Sequence, residues 1–233
     1  MATPYDIVHL ASVHSTQDEA QRTMAASGRT TLVVADRQSG GRGRQGRDWT
    51  SPDRGMFASF SFVTDWPDAD RTLIPLVAAV AIRRVVDISF DVLVGLRWPN
   101  DLMIDGLKVG GILVEASGDD IVVGCGMNLW WSEPVEGAQS LLVADPGSSA
   151  ATSLAESWAD ILVGLLKGGS KHWPRDEYVT ASVTIGHEVS WGDQTGHAKA
   201  IAQDGALIVD RQGTLVELRA GEVHTHRHQE SAE

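Results

Sequence analysis

The sequence predicts an α+β protein, with a mixed sheet flanked by helices followed by a small β-barrel domain. Three observations point there. Apolar strand-like runs, Thr31 to Ala35 and Met56 to Val63 among them, alternate with helical stretches before Val179, a pattern that fits an α/β or an α+β core. Asp105-Gly106 sits between two apolar runs, which is a strong hairpin signal. From Val179 onward the texture changes to short strands punctuated by turn residues.

In chain order, Asp6 to Val13 reads as an opening strand. Ser15-Thr16-Gln17-Asp18-Glu19 then supplies a capping motif, with Thr16 and Glu19 spaced as a capping box. A helix should follow to Ser27 and stop at Gly28, with Ala20 and Met24 facing the core. After the strands at Thr31 to Ala35 and Met56 to Val63, Thr72 to Val86 is apolar almost all round and reads as a buried helix. Pro75 is tolerable there because it falls in the first turn. Val94 to Ile104 and Lys108 to Glu115 should form a hairpin that places Arg97 to Asp101 beside Lys108 to Glu115 on neighbouring strands. Gly110-Gly111 within a strand marks a bulge or a close backbone approach by a ligand. Asp120 to Cys125 is a further strand, running out at Gly124 to Asn128. Ser132 to Ser149 reads as loop, and Ser153 to Lys167 as helix. The final short strands are expected at Ser182 to Ile185, Glu188 to Trp191, His197 to Gln203, Ala206 to Asp210, Thr214 to Leu218 and Glu222 to His226. A three-residue loop, Arg211-Gln212-Gly213, should join two of them.

The chain has 233 residues, 42% of them hydrophobic, which is enough for one catalytic domain and a small appendage. Its net charge of −12 disfavours general duplex-DNA binding, which needs a broad basic face. The start lacks a basic segment followed by an apolar one, and the run Leu73 to Ile82 is too short to span a bilayer, so a soluble cytoplasmic protein is expected. Cys125 is the single cysteine, which excludes an internal disulfide and a cysteine zinc site and fits a reducing compartment. In an apolar strand it reads as a small buried hydrophobe. With no long segment before the first strand and helix, no room for a helix-turn-helix domain is expected.

Against that acidic background, Gly40 to Trp49 concentrates three arginines and four glycines within ten residues. Glycines let a backbone approach a ligand closely, and guanidinium forks match carboxylate and phosphate oxygens. A solvated surface loop or an RGG-type nucleic-acid tail could have the same composition. The flanking apolar strands argue against the tail. Arg42, Arg44, Arg47 and Lys108 together suggest two anions held side by side, such as a carboxylate and a nucleotide phosphate chain. At about 4 Å and an effective dielectric of ~20 the repulsion of two such charges is roughly 4 kcal/mol, which interposed cations remove. Activation of a carboxylate by ATP fits such a site.

Gly41 to Trp49, Trp98-Pro99-Asn100-Asp101 and Lys108 to Glu115, in that order and with seven residues from Asp101 to Lys108, resemble the biotin-protein ligase family, the biotin–[acetyl-CoA-carboxylase] ligases. His14 to Gln17 and Gly124 to Asn128 are similar as well, so the resemblance covers nearly the whole chain. It implies a class II synthetase-like catalytic domain over 1–178, an SH3-like domain over 179–233, and a monofunctional type without a DNA-binding domain. The implied activity uses biotin and Mg·ATP to form biotinyl-5′-AMP and pyrophosphate, then moves biotin to a lysine of a carboxylase's carrier domain. No protein metal site, nucleic-acid partner or membrane partner is implied, and a monomer or homodimer fits.

By motif match, the resemblance places Ser15, Thr16 and Gln38 on the biotin ureido and carboxylate ends. Gly41, Arg42, Gly43, Gly111 and Leu113 would line the biotin pocket. Arg44 would bridge carboxylate and α-phosphate, Arg47 would meet the triphosphate, and Lys108 would neutralise the phosphorus under attack. Trp49 and Asn128 would contact adenine. Asp101 is implied as the proton acceptor for the incoming lysine, whose pKa of about 10.4 otherwise keeps it non-nucleophilic. As a residue reading, Asp101 serves equally as the salt-bridge partner of Lys108. Gln17 stands where many family members carry Asn. An Arg that often reaches the nucleotide near the C-terminus would fall on His226 or Arg227, and Trp130-Trp131 could shield the adenine or belong to the core. Lipoate-protein ligase chemistry is the alternative within the same architecture. A non-catalytic biotin-binding protein and a Gly/Arg RNA binder are the alternatives from other classes.

Overall fold

The computed structural model describes residues 3–219 and 224–226. Its first body is a seven-stranded mixed sheet in the order β1-β2-β3-β7-β6-β5-β4. The strands are β1 (Asp6–Leu10), β2 (Thr31–Ala35), β3 (Arg54–Val63), β4 (Gly95–Arg97), β5 (Asp101–Ile104), β6 (Leu107–Ser117) and β7 (Asp120–Trp130). Strands β1 and β2 run parallel and the remaining neighbours antiparallel. The expected α+β architecture with a mixed sheet is what the chain forms.

Alternation along the strands separates two faces. In β2, Leu32 and Val34 join the main core, whereas Val33 packs with Ala20 and Val122. Helix α1 (Thr16–Ser27) lies on the Val33 face. Helices α2 (Ile74–Phe90) and α3 (Ala150–Lys167) close the opposite face through Leu76, Val80, Leu154 and Trp158. Pro75 does fall in the first turn of α2. Helix α1 stops at Gly28, which takes φ 65° and donates its N–H to Met24 O. Its cap is Ser15 rather than Thr16: Ser15 Oγ accepts from Asp18 N at 3.5 Å, while the Thr16 side chain is engaged elsewhere.

Two sheet expectations are corrected. Arg97 to Asp101 is not one strand segment, because Trp98-Pro99-Asn100 forms a turn between β4 and β5. Strand β7 does not run out at its glycines but continues to Trp130, since β3 pairs with it on one side and β6 on the other. Asp105-Gly106 makes the expected tight turn, both residues at positive φ.

The C-terminal body follows α4 (Arg175–Ala181) and is a five-stranded antiparallel sheet ordered β11-β10-β9-β8-β12. It comprises β8 (Glu188–Trp191), β9 (Gln194–Ile201), β10 (Leu207–Arg211), β11 (Thr214–Leu218) and β12 (His224–His226). Ser182 to Ile185 is a bend and turn rather than a strand, touching the larger sheet through a bridge between Leu96 and Ser182. The β10–β11 connection has two residues, not three, because Arg211 pairs with Thr214 across Gln212 and Gly213. Trp98 ties this body to the first: its N–H donates to Thr184 Oγ1 at 2.9 Å and its indole Nε1 to Gly205 O at 2.9 Å. Val189, Ala198, Ile201 and Leu207 belong to the same apolar core as α2 and α3.

Candidate functional site

The Gly/Arg segment folds as a small closed hairpin. Trp49 N donates to Gly41 O at 2.9 Å, Arg42 bridges Asp48, and Gly43 N donates to Arg47 O at 2.7 Å. A 3₁₀ turn, Arg44–Gly46, makes the tip, with Gln45 and Gly46 at φ 58° and 71°. The stem is fastened to the start of α1, where Gly40 N donates to His14 O at 2.7 Å and Thr16 N to Gln38 Oε1 at 2.9 Å. The result is a roof over the α1 face of the sheet. Beneath it lies a cleft of about 180 Å³.

Glycines make the floor. Across the sheet, Phe57, Gly126, Gly111 and Asp101 are register partners in turn, and Ser59, Gly124 and Leu113 form the neighbouring row. Side chains at paired positions share a face, so glycine at 111, 124 and 126 leaves a trough where other residues would fill it. A Cβ on Gly124 would stand 2.6 Å from Gln17 Oε1, and one on Gly126 would stand 3.2 Å from the Trp49 ring. Gly110 answers a different need. It faces away from the cleft, and a Cβ there would meet Gly126 O at 2.8 Å, so its close neighbour is a strand and not a ligand.

One end of the trough is lined by polar groups. Thr16 Oγ1 donates to Gln38 Oε1 at 3.1 Å, and Ser59 Oγ lies 2.9 Å from Thr16 Oγ1 and 3.0 Å from Gln17 Oε1. Gln17 Nε2 is anchored on Val122 O at 3.0 Å. Ser15, Thr16, Gln17 and Ser59 are all buried. The cluster offers hydroxyl and amide donors and acceptors to a ligand head group that carries both.

The other end is cationic. Arg44 Nη1 donates to Asn100 Oδ1 at 3.2 Å, Arg47 Nε to Arg44 O at 3.5 Å, and Lys108 Nζ lies 5.6 Å from the centre of the Trp49 ring. Lys108 Nζ also contacts Asp101 Oδ1 at 2.6 Å. The second oxygen, Oδ2, takes Nε and Nη2 of Arg97 at 3.1 and 2.5 Å. Burial alone would raise the Asp101 carboxyl pKa, but the charges and hydrogen bonds of Lys108 and Arg97 outweigh it and hold the pKa below the ordinary carboxylate value. As found, Asp101 is the ion-pair partner of Lys108.

Arg42 stands apart from the other cations grouped with it from sequence. Its guanidinium is bidentate on Asp18, at 2.9 and 2.6 Å, with Glu115 at 3.6 Å. The cleft contains Ser15, Thr16, Gln38, Arg42, Gly43, Arg44, Arg47, Trp49, Asp101, Lys108, Gly111 and Leu113 of the sequence candidates. Gly41 and Asn128 are not on its wall. Gly41 supports the roof, and Asn128 lies on the Gly124–Gly126 face of β7 two residues beyond Gly126. Asn128 Nδ2 donates to Gln139 O at 3.3 Å, while Asn128 Oδ1 and Trp49 Nε1 are buried with no hydrogen-bond partner among the described residues. A buried acceptor and a buried donor left in this state suit a base with complementary groups. Gln17, Ser59, Asn100, Gly124 and Gly126 also line the cleft. The signal for Ser59 was a polar residue inside the aromatic run Phe57 to Phe62, and for the glycines their alternation in β7. Arg227 lies outside the described residues, as does the side chain of His226. Trp130 and Trp131 are half-buried.

The site is therefore a glycine-floored trough on a mixed sheet, polar at one end and cationic at the other, and chemically able to take a ligand with a hydrogen-bonding head and an anionic end. The chain belongs to the biotin/lipoate A/B protein ligase family, whose family model matches residues 10–128. A biotin–[acetyl-CoA-carboxylase] ligase of Mycobacterium tuberculosis is 31% identical over 207 residues, covering 82% of this chain and 77% of that protein. The bifunctional ligase/repressor BirA of Bacillus subtilis is 34% identical over 126 residues, and the match spans 52% of this chain but 38% of the BirA length. Among solved structures, a biotin protein ligase of Aquifex aeolicus in complex with biotin and ATP superposes with a TM-score of 0.77 at 26% identity, covering 95% of this chain and 99% of that one. No helix among the described residues is long and apolar enough to cross a membrane.

Proposed function

We propose that the chain is an ATP-dependent biotin–[carrier-protein] ligase acting through biotinyl-5′-AMP, with residues 1–178 carrying the chemistry and 179–233 forming the small β-domain. The observation that carries this reading is the placement of Arg44, Arg47 and Lys108 at one end of a trough whose other end is the Ser15, Thr16, Gln17, Gln38 and Ser59 cluster. A ureido ring presents paired N–H donors and a carbonyl acceptor, which that cluster can satisfy. The dithiolane of lipoate has no N–H or carbonyl to offer that cluster, so it would gain none of the hydrogen bonds open to a ureido ring. The relatives named as biotin ligases and the Aquifex structure with biotin and ATP support the same choice.

In this reading biotin lies along Gly111 and Leu113, with its carboxylate at the cationic end. Arg44 bridges that carboxylate and the α-phosphate of ATP and Arg47 meets the triphosphate; ATP would be used as its magnesium complex, the metal supplying further positive charge. A biotin carboxylate oxygen attacks the α-phosphorus and pyrophosphate leaves, the added charge being met by Lys108. Trp49 and Asn128 contact the adenine, giving partners to the two orphaned atoms. The carrier lysine, once deprotonated, attacks the mixed anhydride and AMP leaves. Asp101 is the nearby candidate for accepting that proton, a role it can take only once Lys108 has moved off its oxygen. The partner is the carboxyl-carrier domain of a biotin-dependent carboxylase.

The test is incubation with Mg·ATP, a carrier domain and either biotin or lipoate, read by intact mass. The reading expects one biotin-sized adduct on one carrier lysine and none with lipoate. A lipoyl adduct, or an unmodified carrier under both conditions, would refute it.

A further inference from the structure

Two cations share one carboxylate at the cationic end of the cleft, and they do so unequally. Lys108 holds Oδ1 of Asp101 and lines the cleft; Arg97 holds Oδ2 and does not line it. Arg97 and Asp101 are register partners on β4 and β5, so the backbone ladder keeps their side chains adjacent. The flexible Lys108 side chain passes over Gly111, where a Cβ would lie in ordinary contact, 3.4 Å from Cε and Nζ. The trio carries one net positive charge in a chain of net charge −12.

An anion entering the cleft can attract Lys108 only if Asp101 tolerates losing it. The Asp101 side chain is 18% exposed, and a largely buried carboxylate stripped of its counter-ion is costly. Arg97 removes that obstacle, because it stays on Oδ2 when Lys108 leaves Oδ1. We propose that Arg97 is a positioning residue for acyl-adenylate formation: by neutralising Asp101 from behind, it makes Lys108 a transferable cation that passes from the carboxylate to the phosphate oxygens. This rests on the biotin-ligase reading for its substrate and on the Arg97–Asp101–Lys108 geometry for its mechanism. Arg97 touches no substrate and acts through Asp101.

Three variants test it, each checked for a native unfolding transition: Arg97→Gln, Arg97→Lys, and Arg97→Gln combined with Asp101→Asn. Biotin-dependent ATP–pyrophosphate exchange reports the first half-reaction alone. Arg97→Gln should lower kcat by roughly tenfold or more while KM for biotin stays within about twofold. Arg97→Lys should recover most of the loss, and the double variant should exceed Arg97→Gln because the carboxylate that captures Lys108 is gone. A second readout needs no substrate: the rate at which an amine-acylating reagent labels Lys108, read by peptide mass spectrometry, should fall in Arg97→Gln and rise again in the double variant. Equal labelling in wild type and Arg97→Gln would overturn the hand-off, as would a double variant no faster than Arg97→Gln. A wild-type protein without biotin-dependent exchange would overturn the biotin reading instead, leaving the labelling comparison to decide the pairing.

Discussion

Lys108 Nζ lies 2.6 Å from Asp101 Oδ1, so the base implied for the acceptor lysine and the cation implied for phosphate are one ion pair. The pairing holds the two side chains together at the cationic end of the cleft. It also makes the site's acid stability depend on Asp101, whose pKa is lowered by Lys108 and Arg97 against the opposing effect of burial.

The first prediction follows from that direction. A carboxyl with a depressed folded-state pKa stabilises the protein above its unfolded value, about 3.9, and the contribution is lost as pH falls through the folded value. Asp101→Asn should cost about 1.5–3 kcal/mol at pH 7. In urea unfolding, the gap between wild type and variant should be constant above about pH 5 and narrow below pH 4. A gap that widens on acidification would contradict the assigned ion pairs.

Arg42 fastens the roof through Asp18 and Glu115 rather than facing the ligand with its guanidinium. Both ends of the Asp18 pair are about one-third exposed, so Arg42→Ala should cost less than about 1 kcal/mol of global stability. Its effect should be local. Amide exchange at Gly43 to Trp49 should speed up and KM for biotin should rise, with exchange elsewhere unchanged. Uniform acceleration across the chain would mean that the pair serves global stability instead.

Asn128→Ala removes the orphaned Oδ1 that is assigned to adenine. KM for ATP should rise about tenfold, the equivalent of one hydrogen bond of roughly 1.4 kcal/mol, while biotin binding measured without nucleotide stays within twofold. Loss of biotin binding in equal measure would place Asn128 in the support of the trough rather than on the nucleotide.

Cys125 borders the cleft, yet it is 2% exposed, and burial pushes its thiol pKa well above the ordinary value. Alkylation of the native protein at pH 8 should therefore proceed only through unfolding. Its rate, followed by intact mass, should track the urea unfolding curve. Prompt alkylation without denaturant would refute the burial.

Features written in neighbouring residues were legible from sequence. Gly28 stops α1 and Asp105-Gly106 turns the β5–β6 hairpin, both through local backbone conformation. The roof was legible as a distinct Gly/Arg loop, because glycine and arginine density is itself local. What depended on partners distant in the chain was not. Strand β7 reaches Trp130 because β3 and β6 pair with it along its length. Asp18, 24 residues from Arg42, takes that arginine out of the cationic set. Arg97 and the trough glycines Gly124 and Gly126 acquire meaning only once strand register puts them in rows.

Biotin-dependent exchange between ATP and labelled pyrophosphate, in the absence of any carrier, tests the central claim most directly. The account predicts exchange that requires biotin, is not supported by lipoate, and disappears in Lys108→Ala. Exchange supported by lipoate in place of biotin, or exchange that survives Lys108→Ala unchanged, would contradict it.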